Sequence, residues 1–352
     1  MTAPMPSEKK SITGARRAFK SMVKNIAHRR KGFTPLPIRD GLNPTRARVP
    51  AEEAGISAWD FIWHLVRSQR HRHPEDNEAA VDRRFAAGEV VLRDTTPLAP
   101  ETPLAAGEDV WFYRTPAIEE EVPYDITVIH EDENLLVADK PPFMATMPRA
   151  KHIVQTATVQ LRRITGIQEL SPAHRLDRLT SGILVFTKTR EVRGAYQTLF
   201  AERRVEKTYE AIAERQDFET PLLWETRIEK TPGEIQGRLV DGPINAITTL
   251  AAVEQLNEGE QELLNALHGP LAPQARYVLR PKTGKTHQLR LHMWRAGVPI
   301  LGDPVYPVIY PAEAEDMSIP MHLTARNIGF IDPITDKPRE FWTQRQIIAP
   351  NS

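Results

Sequence analysis

The chain has 352 residues, of which 40% are hydrophobic and 26% are charged, a composition typical of a globular protein with enough apolar material for a core. Its length predicts two or three folding units. Because it contains no cysteine, disulfides, thiolate metal sites and cysteine nucleophiles are excluded. The sequence has neither a run of 18 apolar residues nor a secretory signal, so we expect no membrane span and a cytoplasmic location.

Charge is unevenly distributed, although the formal net charge is +0. Residues 1–50 contain twelve Lys and Arg residues against only Glu8 and Asp40, which gives this segment +10 and the remainder −10. A basic arm on an acidic body suits contact with a polyanion, because such binding releases condensed counterions. A solvated tail without a partner is the alternative that charge alone leaves open.

The first half of the chain changes character twice. Prolines 35, 37, 44 and 50 predict that residues 1–50 form a mostly irregular arm, with one short helix at residues 15–27. Residues 51–115 then have the pattern of a compact unit, and residues 116–123 that of an acidic, proline-bounded linker. Within the unit we expect helices at 59–66, with Ser57 as N-cap, and at 77–87, followed by strands at 89–93 and 109–114.

Residues 124–347 mix strands and helices without strict alternation. The fold class expected for this region is therefore α+β, with a mixed, largely antiparallel sheet. Residues 254–270 are rich in glutamate and interrupted by glycine, which predicts a surface insertion of variable structure. The expected elements are a hairpin of strands 126–130 and 135–139, a helix at 153–164, a buried strand at 183–187, a helix at 191–204, strands at 207–213 and 276–280, and a helix at 286–295.

A dense polar segment precedes the buried strand at 183–187. In residues 172–182, Pro-Ala-His-Arg-Leu-Asp-Arg-Leu-Thr-Ser-Gly, one carboxylate, Asp177, stands between Arg175 and Arg178. Two flanking guanidiniums would favour the ionised carboxylate, the state that a carboxylate nucleophile needs. A loop held by salt bridges is the competing interpretation of the same residue types.

Three other chemistries are excluded by spacing. The Gly284-Lys285-Thr286 segment lacks the first glycine of a phosphate-binding loop, since position 279 is Leu. His287 and His292 are five residues apart and would diverge on a helix, so no metal site is expected. Ser181 has no Gly-x-Ser-x-Gly context, which argues against a hydrolase triad.

Several segments, in order, resemble the RluA family of pseudouridine synthases. The likeness spans residues 122–345, and its motifs are ordered as in that family. They are the hairpin 125–142, the His174-Arg175-Leu176-Asp177 motif with Thr180-Ser181-Gly182, the strand Lys207-Thr208-Tyr209-Glu210-Ala211, the segment from Gly284 to His292, the turn 301–306 and the strand segment 321–326.

The resemblance implies roles for individual residues. Asp177 is implied as the catalytic nucleophile, Tyr209 as the residue that stacks on the target base and takes its C5 proton, and Arg290 as the basic residue that pairs with the catalytic carboxylate. Lys285 stands where the family more often has Arg, which suggests a weaker, monodentate phosphate contact. The substrate-binding residues that we expect are His174, Arg175, Arg178, Thr180, Lys285, His287, Gln288 and His292.

The unit at 51–115 resembles an S4-type RNA-binding domain. Its order of helix, helix, strand and strand carries the likeness, together with the segments 85–91 and 106–110. A generic small α/β packing domain is the alternative.

The function implied is isomerisation of specific uridines in RNA to pseudouridine, by a monomer without cofactor. The first step could be attack on the sugar, attack on the base or removal of a sugar proton. We expect 23S ribosomal RNA as the substrate, with tRNA as the alternative. A non-catalytic RNA-binding or chaperone protein on a synthase scaffold is the hypothesis from a different class.

Overall fold

The computed structural model describes residues 34–348, so the helix predicted at 15–27 and most of the basic arm lie outside the described residues. The chain divides into two compact units, the first ending at Ile118 and the second beginning at Glu119. In the described part of the first unit the elements are β1 (Thr45–Arg48), a 3-10 turn (Ala51–Glu53), α1 (Ala58–Arg67), α2 (Glu78–Ala86), β2 (Val91–Leu92) and β3 (Asp109–Phe112).

Both helices of the first unit begin at polar caps. The Ser57 hydroxyl accepts the Asp60 N–H, and the Asn77 side chain accepts the Ala80 N–H, which satisfies backbone donors that the first turn leaves free. The Ser57 cap confirms the prediction. The apolar faces of α1 and α2 pack on β3 in a core that includes Phe61, Ile62, Val81, Phe85, Val110 and Phe112. No observation tests the S4-like assignment, which stays a prediction.

Residues 45–48 were predicted as irregular, and the structure corrects this. Strand β1 pairs with β3 in a three-stranded antiparallel sheet of order β1-β3-β2. The Thr-Arg-Ala-Arg sequence lacks the alternating apolar residues that would have indicated a strand. Its charged side chains pair with a residue of the neighbouring strand instead. Arg46 and Arg48 both bind Asp109, at 2.6 and 3.0 Å, and hydrogen bonds from Arg48 and Arg46 lower the pKa of Asp109 to about 2.

The second unit is built on one large, mostly antiparallel sheet. Its order is β10-β9-β11-β12-β8-β13-β7-β5-β4, with β14 added to β13 and β6 to β7. The elements are β4 (Thr127–Glu131), β5 (Leu135–Lys140), α3 (Ala157–Thr165), β6 (Ser171–Pro172), β7 (Ser181–Thr187), α4 (Arg190–Ala201), β8 (Val205–Glu214), β9 (Leu222–Glu229), β10 (Arg238–Val240), β11 (Ala246–Gln255), α5 (Glu258–His268), β12 (Gln274–Pro281), α6 (Gln288–Arg295), β13 (Leu323–Ile331) and β14 (Pro338–Trp342). The expected fold class, α+β with a largely antiparallel sheet, is confirmed.

Helices cover both faces of this sheet. In β7, Leu184 and Phe186 pack in a cluster with α3, whereas Ile183 and Val185 pack in another with α4. Because side chains alternate across a strand, α3 and α4 lie on opposite faces. All seven residues of β7 are buried, which explains why the strand reads as a continuous apolar run.

Strand β13 joins the two halves of the sheet. Ala325 pairs with Tyr209 of β8 on one side and with Gly182 of β7 on the other, and β7 runs parallel to β13. Gly182 has a φ of +104°, and a Cβ there would lie 2.3 Å from the Ala325 carbonyl oxygen. The backbones therefore approach so closely that only glycine fits.

The predicted irregular insertion at 254–270 is wrong in its central part. Residues 258–268 form α5, which begins at a capping box between Asn257 and Glu260. Its Leu264 packs with Ile212 of β8. The capping residues can be recognised in the sequence. The helix was not predicted because most of its residues are polar and few of them form an apolar face.

Candidate functional site

Asp177 lies on the loop between β6 and β7, and its side chain is 36% exposed. The backbone on both sides of it is held in place. The Thr146 hydroxyl donates to the Leu176 carbonyl at 2.8 Å and accepts the Leu176 N–H at 3.1 Å. The Thr180 N–H donates to the Asp177 carbonyl at 3.1 Å. The partly exposed Asp177 carboxylate is thus carried by a loop whose backbone is hydrogen-bonded at Leu176 and at Asp177 itself.

Lys140, at the end of β5, donates a hydrogen bond to the backbone of this loop. Its side chain is fully buried, and Nζ donates to the carbonyls of Pro141, Met144 and Arg178 at 2.8, 2.7 and 3.1 Å. Burial lowers the pKa of Lys140 well below its usual value, while the nearby Asp177 charge acts in the opposite direction. Sequence reasoning missed this residue, although a lysine ending the strand Leu-Leu-Val-Ala-Asp-Lys was a signal that it has a buried partner.

Tyr209 reaches the site from β8. Its ring packs against the two apolar clusters on the α3 and α6 face of the sheet. Burial, and then the negative charge of Asp177, raise the pKa of Tyr209. The phenol is consequently neutral at pH 7. It lies close enough to Asp177 for the carboxylate charge to contribute to its raised pKa.

Arg290, on α6, has a different partner from the one that the family resemblance implied. Its Nε and Nη2 atoms donate to the two carboxylate oxygens of Asp303 at 2.7 and 2.6 Å, and the two side chains are 3% and 1% exposed. Asp303 also accepts the N–H groups of Val305 and Tyr306. Within residues 34–348, Arg290 forms no ion pair with Asp177 within 4.0 Å.

Arg290 nevertheless acts on Asp177 through its field. Burial opposes its charge, but the hydrogen bonds and charge of Asp303 overcome this, and Asp177 adds to the effect, so that the pKa of Arg290 is raised. The guanidinium remains positive near the loop that carries Asp177. A buried charge requires a partner, and Asp303 supplies it while leaving Asp177 unpaired by Arg290.

His287 also faces Asp177. Its Nε2 lies 4.0 Å from an Asp177 carboxylate oxygen, and Nδ1 lies 3.0 Å from the Tyr306 hydroxyl. His287 precedes α6 with a φ of +58°, a left-handed conformation that is unusual for a residue other than glycine. Burial, and then the Arg290 charge, lower the pKa of His287 to about 4, so the ring is neutral at pH 7.

The hydrogen bonds around Tyr306 indicate which His287 nitrogen carries the proton. The Gly237 N–H donates to the Tyr306 oxygen at 2.7 Å, and the hydroxyl is 3.5 Å from the Gly237 carbonyl but 3.0 Å from His287 Nδ1. A hydroxyl that donates over the shorter of these two contacts would place its proton toward His287 Nδ1. The imidazole proton then lies on Nε2, on the side of Asp177.

The arginines that flank Asp177 do not pair with it. Arg178 forms an ion pair with Glu315, and Arg175 is exposed, with no hydrogen bond or ion pair to any residue of the described part of the chain. Within residues 34–348, neither flanking guanidinium therefore forms an ion pair with the Asp177 carboxylate within 4.0 Å. Lys285 is likewise exposed.

Four more of the predicted substrate-binding residues have structural contacts. His174 stacks on Phe200 of α4 and accepts the Val185 N–H, and burial lowers its pKa to about 3. Gln288 hydrogen-bonds the Thr283 and Thr248 hydroxyls. His292 bonds the Thr226 hydroxyl, and Thr180 is buried. These contacts anchor the loop and α6 to the sheet, and substrate binding by His174, Gln288 and His292 stays a prediction.

Residues 34–348 contain no group of three or more His, Asp or Glu side chains that could hold a metal ion. None of their helices is long and apolar enough to cross a membrane.

Comparison with known proteins identifies the family. The family model described as RNA pseudouridylate synthase matches residues 134–294. The chain is 30% identical to tRNA pseudouridine synthase C of Vibrio parahaemolyticus, over 61% of this chain and 88% of that protein. It is 30% identical to the dual-specificity RNA pseudouridine synthase RluA of Haemophilus influenzae, over 62% and 92%. For ribosomal large subunit pseudouridine synthase D of Zymomonas mobilis the identity is 28%, over 64% and 71%. The chain thus belongs to the RluA family of RNA pseudouridine synthases.

Proposed function

We propose that this enzyme isomerises uridines of 23S ribosomal RNA, with Asp177 as its catalytic nucleophile. The observation that carries the proposal is the position of the Asp177 carboxylate. It is half exposed on a fixed loop, close to the neutral Tyr209 phenol and the His287 ring and within the field of the buried Arg290. A carboxylate so placed is accessible to a flipped nucleotide and is not neutralised by a direct ion pair with an arginine.

The isomerisation of uridine rearranges bonds within one nucleotide and adds no group to it. The N1–C1′ bond of uridine breaks, the uracil rotates, and a C5–C1′ bond forms, while the C5 proton leaves and N1 gains a proton. Asp177 attacks the sugar or the base, or begins by removing a sugar proton. Tyr209 stacks on the uracil, and once the carboxylate has been released the phenol oxygen takes the C5 proton while the phenol passes its own proton to Asp177.

The neighbours of Asp177 orient it in this proposal. His287, with its proton on Nε2, points a donor toward the carboxylate, and Tyr306 fixes that tautomer. The Arg290–Asp303 pair adds a positive charge that cannot move away, because both groups are buried. Preorganised dipoles and charges of this kind stabilise charge that develops in a transition state.

RNA contacts are expected from Arg175 and Lys285, whose exposed cationic side chains form no ion pair with any residue from 34 to 348. Arg175 precedes the catalytic carboxylate by two residues, and Lys285 precedes α6. A uridine in folded RNA must leave its stack, which costs a few kcal/mol, and exposed cations help to hold the displaced backbone.

Tritium release from RNA labelled at uridine C5 tests the role of Asp177. Asp177→Asn keeps the shape of the side chain and removes its charge, so we expect turnover to fall by roughly 10³-fold or more, as for other nucleophiles. Turnover comparable to the wild type would overturn the assignment. Glu315→Gln, which changes a carboxylate bound to Arg178, is the matched control.

A pseudouridine map of total RNA, compared between cells with and without this protein, tests the substrate. Loss of a position in 23S rRNA supports the proposal. The relatives named as tRNA synthase C and as a dual-specificity enzyme favour tRNA as the second candidate, and loss of a tRNA position alone would select it. RNA binding without any lost position would instead indicate a non-catalytic RNA-binding protein.

A further inference from the structure

One face of α6 continues the candidate site toward solvent. His287, Leu291 and Trp294 are spaced by four and three residues, and such positions lie on the same side of a helix. Tyr306 connects the two ends of this face, with ring centroids 5.6 Å from His287 and 5.7 Å from Trp294. Since His287 lies 4.0 Å from Asp177, a row of aromatic rings runs from the carboxylate to Trp294.

The outer end of this row is exposed. Trp294 is 38% exposed, and the three residues that follow the Tyr306-Pro307 bond are exposed by 60% (Val308), 46% (Ile309) and 60% (Tyr310). We call Trp294, Val308, Ile309 and Tyr310 the apolar rim. Isolated exposed apolar residues are common, but three in a row, close in the chain to the buried Tyr306 ring that Trp294 contacts, indicate a binding surface.

The rim lies at a distance from Asp177 that suits a neighbouring nucleotide. Trp294 is seven residues from His287, which is about 10 Å along a helix. Residues 308–310 follow Tyr306 by two to four positions, so they lie within roughly 14 Å of it. Trp294 is therefore continuous with the site, because its ring contacts Tyr306, which contacts His287.

We propose that the apolar rim binds an unpaired base of the RNA beside the target uridine, and that this base stacks on Trp294. The inference rests on the proposed function, because flipping one nucleotide disturbs the stacking of its neighbours. An indole accepts any base, since every base has a π-face. The exposed Arg295, next to Trp294, and the exposed Lys285, at the other end of α6, supply charges for the phosphates on either side.

Titration of a short fluorescein-labelled oligouridine with the full chain tests the stack. We expect Trp294→Ala to weaken binding about 5- to 150-fold, the range given by loss of a base–aromatic stack. Trp294→Phe keeps a ring and should bind within about threefold of the wild type. The matched control is Trp342→Ala, which removes a tryptophan that is 54% exposed on β14 and should leave binding unchanged.

Tritium release from C5-labelled RNA separates this inference from the proposed function. We expect Trp294→Ala to raise KM and to leave kcat within about twofold, because the stack binds RNA without touching the reacting atoms. Normal turnover by the wild type with unchanged binding by Trp294→Ala would overturn the inference alone. Loss of binding in Trp294→Ala, from a wild type that isomerises nothing, would overturn the proposed function alone.

Sedimentation of the wild type and of Trp294→Ala tests whether the apolar rim binds a second copy of this chain instead of RNA. If the rim bound a second copy of this chain, the wild type would dimerise and Trp294→Ala would not, which would overturn the inference. A wild type and a variant with the same sedimentation coefficient support RNA as the occupant.

Discussion

The two sides of the candidate site are held by different interactions. On the Asp177 side, the loop is fixed by hydrogen bonds to backbone groups, from the Thr146 hydroxyl and the Lys140 ammonium group. On the α6 side, Arg290 and His287 are fixed by other side chains, the Asp303 carboxylate and the Tyr306 hydroxyl. The first side thus fixes the geometry of the loop, whereas the second fixes charge and tautomer.

This difference gives each side its own response to mutation. Breaking a buried ion pair leaves an unpaired charge and costs more free energy than breaking neutral hydrogen bonds. Removing one hydroxyl from the α6 side should change catalysis with little effect on folding. Four variants or conditions separate the two sides.

Asp303→Asn should have the largest effect on stability. It leaves the Arg290 guanidinium, which is 3% exposed, buried without a charged partner, and we expect the free energy of unfolding to fall by about 3–5 kcal/mol. Urea denaturation followed by circular dichroism measures it. Glu202→Gln is the control, because it breaks an exposed pair with Arg204 and should cost no more than about 1 kcal/mol. Equal losses in the two variants would contradict the difference between buried and exposed pairs.

Acid should destabilise the α6 side through His292. Burial lowers the pKa of His292 to about 4, below the roughly 6.5 of an unfolded histidine. Between these values the unfolded state binds more protons, so stability is present at pH 7 and is lost as the pH falls from about 6.5 to about 4. The loss from this one group is about 3 kcal/mol. His292→Gln, measured by urea denaturation across this range, should flatten the profile, and an unchanged profile would contradict burial as the cause.

Lys140→Met should have a smaller effect on stability and a clear one on turnover. The variant keeps an apolar chain but leaves buried carbonyls of Pro141, Met144 and Arg178 without their donor. We expect a loss of about 1–3 kcal/mol and a lower kcat, because Asp177 is no longer held. Lys188→Met, at an ion pair with the more exposed Glu131, is the control. Wild-type kcat in Lys140→Met would show that the loop does not depend on this lysine.

Tyr306→Phe should have the smallest effect on folding. It removes the hydroxyl that donates to His287 Nδ1, so the Nε2 proton facing Asp177 is no longer assured. We expect kcat to fall about tenfold, equivalent to about 1.4 kcal/mol, with KM within about twofold. Steady-state kinetics of tritium release measures both constants. An unchanged kcat would mean that the His287 tautomer plays no part in the reaction.

Much of the fold could be predicted because the patterns are local. The hairpin of β4 and β5, the buried β7 and the helices α4 and α6 follow from apolar periodicity. Strands β9 to β11 and β14 were not predicted, since most of their residues are exposed or only partly buried and their apolar pattern is correspondingly weak. The strand at 45–48 was missed because its arginines are satisfied by Asp109, a partner 63 and 61 residues away.

The site shows the same division. Asp177, Tyr209 and Arg290 could be recognised in motifs that resemble those of the RluA family, because each motif is a short run of residues in a fixed order. Their partners follow from the folded chain: Arg290 binds Asp303, Arg178 binds Glu315, and His287 faces Asp177. Those pairings join residues that are 13, 137 and 110 positions apart. The strength of an ion pair depends on the distance between the two charges and on their burial. Both are properties of the folded chain, and neighbouring residues in the sequence do not set them.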